Sequence, residues 1–141
     1  MSTEIHQLLY CSHLCSPRQN RRAELNDILV IARRNNARVG ITGGLFVLGD
    51  IVVQMLEGPT DHTERVFETI CADPRHRDVT LLRRRDVARR TFPTWAMGFE
   101  ITEDAPEEVW TVLAQSFSVQ NDEMADAITD LIKDGAVRIE M

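Results

Sequence analysis

At 141 residues, with 43% hydrophobic and 27% charged side chains, the chain suffices for one compact domain with a core and is too short for two of ordinary size. No apolar run approaches the ~20 residues of a membrane helix, and the opening MSTEIHQ lacks the basic and apolar blocks of a secretory signal, so a cytoplasmic protein is expected. The net charge of −6 is uneven: in residues 101–141 ten acids face only Lys133 and Arg138, which marks a core over 1–101 and an acidic helical extension over 102–141.

Residues 4–11 (EIHQLLYC) form an apolar first strand, ended by Ser16-Pro17. A helix follows with Asn20 as its N-cap, an apolar face of Leu25, Ile28, Leu29 and Ala32, and a stop near Asn36. Residues 41–48 and 51–57 are β-prone runs joined by Gly49-Asp50, a hairpin connection with glycine first. A second helix opens at Asp61, where Asp61 and Glu64 have capping-box spacing, buries Val66, Phe67 and Ile70, and closes before Pro74. Strands at 78–87 and 95–101 complete a βαββαββ order, which implies a ferredoxin-like α+β sandwich with two helices on one face. Asp104 and Glu107 form a further capping box. Val109, Leu113 and Phe117 line one C-terminal helix, and Met124, Ile128, Leu131 and Ile132 the next. These stripes need either the second sheet face or another subunit, so a homodimer is one expected use of them.

Cys11, Cys15 and Cys71 are odd in number and irregularly spaced, which argues against a disulfide framework. Cys11, His13 and Cys15 lack the second half of a four-coordinate site, so no metal is expected. The Arg83, Arg84, Arg85, Arg89, Arg90 cluster reads as a solvated edge strand and turn rather than a nucleic-acid surface, since the chain is acidic and carries no aromatic RNA-binding signature.

Two polar residues interrupt apolar strands. Tyr10 is the sole tyrosine, and its buried hydroxyl needs a partner; Gln54, within IVVQML, poses the same problem for an amide. In a ferredoxin-like sheet the first and third strands are central neighbours, so the two side chains can satisfy each other. On these two alone, an ordinary buried polar pair remains open beside a functional one.

The wider pattern adds Asn35-Asn36, GITGGL at 40–45, LEGP at 56–59, DPRH at 73–76 and RRTFPTWAM at 89–97. In order and spacing, from about residue 4 to 101, it resembles the BLUF family of flavin-based blue-light sensors. The resemblance implies FAD as cofactor, Tyr10 as the photoactive tyrosine and Gln54 as the switching glutamine, with Trp95 and Met97 nearby. It places Asn36, beside Asn35, at the polar edge of the flavin, Ile28 and Ile70 on either side of its ring, and Asp73 and His76 close to the pocket. Gly44 stands where the family generally has leucine, and Thr69 where several relatives carry a basic residue, departures expected to loosen cofactor binding; Ile51 replaces a common aromatic. The expected function is photoreception rather than catalysis, with the signal passed in trans to an effector protein. The alternatives are a small acylphosphatase-like hydrolase, for which CSHLCSPRQNRR is a poor phosphate loop, and a flavin-binding interaction module without photoactivity.

Overall fold

The computed structural model describes residues 4–15, 18–94 and 98–138. The elements are β1 (Ile5–Leu14), α1 (Arg18–Val39), β2 (Thr42–Leu48), β3 (Ile51–Gly58), α2 (Thr60–Ala72), β4 (His76–Val87), β5 (Gly98–Thr102), α3 (Glu107–Gln115) and α4 (Asp122–Arg138). One mixed sheet has the order β4-β1-β3-β2-β5, antiparallel except for β2 with β5. The α+β sandwich with two C-terminal helices expected from the sequence is thus the observed fold.

Alternation along β1 and β3 builds two cores, because successive strand side chains point to opposite faces. Leu8, Tyr10 and Leu14 of β1 join Val52 and Leu56 of β3 under Leu25 and Leu29 of α1 and Phe67 of α2. On the other face Leu9, Cys11, Val53 and Met55 pack against Leu113 of α3 and Met124, Ile128 and Ile132 of α4. The C-terminal stripes therefore cover the sheet face opposite α1 and α2, the first of the two uses open to them.

Several local expectations shift for identifiable reasons. Helix α1 begins at Arg18, which places Asn20 inside the first turn, and it runs on to Val39. There Gly40 takes φ 77°, and the Ile41 N–H donates to the Asn36 carbonyl over 2.9 Å, a Schellman closure that favours glycine. Neither capping box forms: Pro59 and Pro106 occupy the N-cap positions of α2 and α3, with no side-chain cap bond. Glu64 instead takes two hydrogen bonds from Arg84, at 2.8 and 3.0 Å, and contacts buried His6. His6 meets carboxylates at both ring nitrogens, Nδ1 with Asp86 at 2.8 Å and Nε2 with Glu64 at 2.5 Å. Burial lowers the affinity of His6 for its second proton, but the two carboxylates together outweigh this and raise its pKa.

Strand β4 starts at His76, two residues earlier than expected. Its arginines are engaged: Arg83 with Asp126 of α4 at 2.9 Å, Arg84 with Glu64 of α2, and Arg85 with Gln7 Oε1 of β1 at 3.0 Å. β4 is the edge strand expected, with Arg84 and Arg85 exposed, and Arg83 and Arg84 also tie the sheet to α4 and α2. No described helix is long and apolar enough to cross a membrane.

Candidate functional site

Strands β1 and β3 pair in unbroken antiparallel register from His6 opposite Gly58 to His13 opposite Ile51, and this puts Tyr10 directly across from Gln54. Cross-strand partners share a face. The Tyr10 hydroxyl donates to Gln54 Oε1, so each solves the other's burial problem. Tyr10 is 1% exposed and Gln54 8%. Burial, followed by the nearby Cys71, Asp73 and Cys11 groups, pushes the Tyr10 pKa upward, so the phenol keeps its proton. The Phe67 ring lies over it at 5.5 Å, tilted by 52°.

Above this pair opens a cleft of about 390 Å³ between α1 and α2, with the sheet as its floor. Tyr10 and Gln54 lie at the floor; Ile28, Asn35 and Asn36 line it from α1. Ile70 lines it from α2, Asp73 from the turn beyond and His76 from the start of β4. The structure therefore brings eight of the ten residues singled out from the sequence around one space, while Trp95 and Met97 lie outside the described residues. Asn36 is 4% exposed, a buried amide on the α1 wall beside Asn35.

The α2 end is ordered by charge. Arg75 grips Asp73 through Nε and Nη2, the closest contact being 2.5 Å, and the guanidinium holds the Asp73 carboxyl below the usual carboxylate range. Burial pulls the His76 pKa down, and its Nδ1 lies 3.0 Å from the hydroxyl of Ser12, two residues along β1 from Tyr10. A neutral imidazole and an ionised carboxylate thus share one rim.

Sequence reading missed Arg75 and the strand residues Leu45, Val52 and Leu56, which also line the cleft. For Val52 and Leu56 a signal was present, since they alternate with Gln54 along β3, whereas Leu45 is placed only by its pairing with Gln54. Thr69 lines the cleft too, but its hydroxyl is turned back onto the Arg65 carbonyl at 3.0 Å. Gly44 corrects an expectation. A Cβ there would stand 2.6 Å from Ile132 Cγ2 of α4 and 2.9 Å from the Phe92 ring, so Gly44 serves the opposite sheet face and not the cleft.

A flat ring with a polar edge fits these residues: Ile28 and Ile70 stand on opposing helices, and buried amides at Gln54 and Asn36 offer both donors and acceptors. The family model described as "Sensors of blue-light using FAD", BLUF, matches residues 5–98. This chain belongs to the BLUF family. It is thereby a flavin-binding blue-light sensor domain. Among BLUF relatives, the photoactivated adenylate cyclase subunit beta of Euglena gracilis is 34% identical over 82% of this chain and 14% of its own length. The blue light- and temperature-regulated antirepressor BluF of Escherichia coli (strain K12) is 33% identical over 53% of this chain and 18% of its own. The chain thus spans a small fraction of these curated relatives. Among solved structures, the dark state of the BLUF protein BlrB has a TM-score of 0.73 at 26% identity, covering 96% of this chain and 97% of the other. Klebsiella pneumoniae BlrP1, with FMN and cyclic diGMP, gives 0.65 at 29% identity, covering 93% and 33%. The hydrolase alternative finds no support among them.

Proposed function

We propose that this BLUF domain holds FAD in the cleft between α1 and α2 and switches through Tyr10 and Gln54. The observation that carries the reading is the Tyr10–Gln54 hydrogen bond at the cleft floor. When bound, the flavin supplies blue absorption, an excited state that takes up an electron, and acceptor atoms at O4 and N5. Tyr10 can release an electron together with its proton because the proton already has an acceptor in Gln54 Oε1. With Oε1 so engaged, the Gln54 NH2 is the donor end of the amide; once the Tyr10 bond breaks, the amide can turn or tautomerise and re-form its bonds differently. Asn35 and Asn36 orient the ring edge, Ile28 and Ile70 exclude water from its faces, and Asp73 and His76 serve the rim. Trp95 and Met97 are assigned, from the resemblance, to sense the Gln54 rearrangement.

Residues 1–101 act as the sensor and 102–141 as the extension that reads it, signalling in the cytoplasm to an effector protein in trans, with a homodimer as the expected assembly. The relatives named for adenylate cyclase and antirepressor activities support an effector-coupled role. The test is a visible spectrum before and after blue illumination: a small reversible red shift of the flavin band is expected. Flavin-loaded protein without that shift refutes the assignment.

A further inference from the structure

Within the LEGP stretch, Glu57 has no role in the cleft. It is a fully buried carboxylate on β3, three residues beyond Gln54. Its side chain faces the α4 side, as do Val53 and Met55. Every hydrogen bond it makes is one it accepts: the Phe92 N–H on Oε1 at 2.8 Å, and the Thr91 N–H and Gln7 Nε2 on Oε2 at 2.8 and 2.9 Å. Both carboxylate oxygens thus face donors, and among the described residues no acceptor stands within hydrogen-bonding reach of either. Beside it Arg90 donates to the main-chain carbonyls of Glu57 and Gly40 and to the Thr42 hydroxyl at 2.8 to 2.9 Å.

The segment held by this carboxylate carries Phe92, 2% exposed, whose ring meets Ile132 of α4 over Gly44. Gly44 pairs with Met55, the neighbour of Gln54 on β3. Two successive β3 residues therefore face the two ends of the problem: Gln54 the cleft, Met55 the seat of α4.

We propose that Glu57 is a positioning residue for α4: by holding the 91–92 main chain it seats Phe92 and Ile132 over Gly44, so that a shift of β3 at Gln54 is passed to α4. The coupling to light rests on the sensor reading above; the seat itself does not. Glu57→Gln removes the clamp because its NH2 must point either at the Phe92 N–H or at the Thr91 N–H and the Gln7 amide. Gln7 cannot flip to compensate without losing Arg85, which donates to its Oε1.

The experiment is hydrogen exchange over 122–138, in darkness and under blue light, with the flavin spectrum recorded on the same flavin-loaded samples. Wild type is expected to protect α4 and to change that protection in light. Glu57→Gln should keep the flavin band and its red shift, yet exchange α4 about tenfold faster in darkness and lose the light-dark difference. Gly44→Ala should loosen α4 similarly, and adding Ile132→Ala, which removes the crowded Cγ2, should restore part of the protection. Wild-type α4 exchange in Glu57→Gln, or a Gly44 and Ile132 pair that is merely additive, overturns the seat. A lit wild type with a red shift but unchanged α4 overturns the coupling. Absence of the shift in wild type would instead sink the sensor reading and leave the dark comparison to decide the seat. Should Glu57→Gln fail to fold, Gln7→Ala, which removes one of the three donors to the Glu57 carboxylate, is read the same way: faster dark exchange of α4 supports the seat and wild-type exchange overturns it.

Discussion

The Tyr10–Gln54 bond has two unequal ends, and a double-mutant cycle should expose the difference. Gln54→Leu leaves the Tyr10 hydroxyl, in a residue 1% exposed, without its acceptor; a buried unsatisfied donor of this kind costs about 2 kcal/mol. Tyr10→Phe strips a donor from Gln54, but that amide borders the open cleft and recovers part of the loss, so about 1 kcal/mol is expected. Removing both groups leaves neither end unsatisfied, and the double variant should lose about 1 kcal/mol rather than the sum, a coupling on the order of 2 kcal/mol. At about 2–4 °C per kcal/mol this is resolved by thermal unfolding at a fixed excess of flavin. In the spectrometer, Gln54→Leu and Tyr10→Phe should both bind flavin and both lack the reversible red shift. Stabilities that add within about 0.5 kcal/mol would show that the two residues do not depend on each other. A normal shift in either single variant would show that the switch lies elsewhere.

Because the pKa of His6 is raised in the fold, its contribution to stability is complete below the unfolded value of about 6.5 and is lost as pH rises through the folded one. The melting-temperature gap between wild type and His6→Gln should therefore be widest below about pH 6.5 and narrow as the pH rises above it, and a constant gap would refute the doubly bonded imidazolium. Asn36→Ala should weaken flavin binding about five- to tenfold through loss of one buried amide contact, measured by flavin fluorescence titration; unchanged affinity would remove Asn36 from the site.

The site was legible because its chemistry violates its surroundings: a tyrosine and a glutamine inside apolar strands announce themselves wherever the strands end up. Glu57, at the end of IVVQMLE, carries the same signal, a polar residue closing an apolar run, and was passed over as part of a motif. Facing was harder to read. Gly44 was assigned to the cofactor by position in a pattern, yet only the Gly44–Met55 and Leu45–Gln54 register tells which face it serves. The capping boxes do not form because Pro59 and Pro106 take the N-cap positions; Glu64 is moreover claimed by His6 and Arg84 from β1 and β4, competitors that local spacing does not show. The β1–β4 pairing shifts register between Leu9 and Tyr10 and again between Cys11 and His13, which no local pattern encodes.

The strand order carries a cost in assembly. β1 is synthesised before its neighbours, yet it finishes between β3 and β4, and Leu14 pairs with His76 only after most of the intervening chain has emerged. The β2–β3 hairpin, closed by two residues, can zip early, within about 1–10 μs. β1 must wait, an apolar ten-residue strand with both hydrogen-bonding edges open, and such edges template misassociation between nascent chains. Non-local pairing of this kind slows folding, and the Tyr10–Gln54 contact, 44 residues apart, is expected to follow the local β2–β3 hairpin. Destabilising β1 at Leu8 or Leu9 should accordingly be seen first as aggregation during expression, before any defect is found in the protein that does fold.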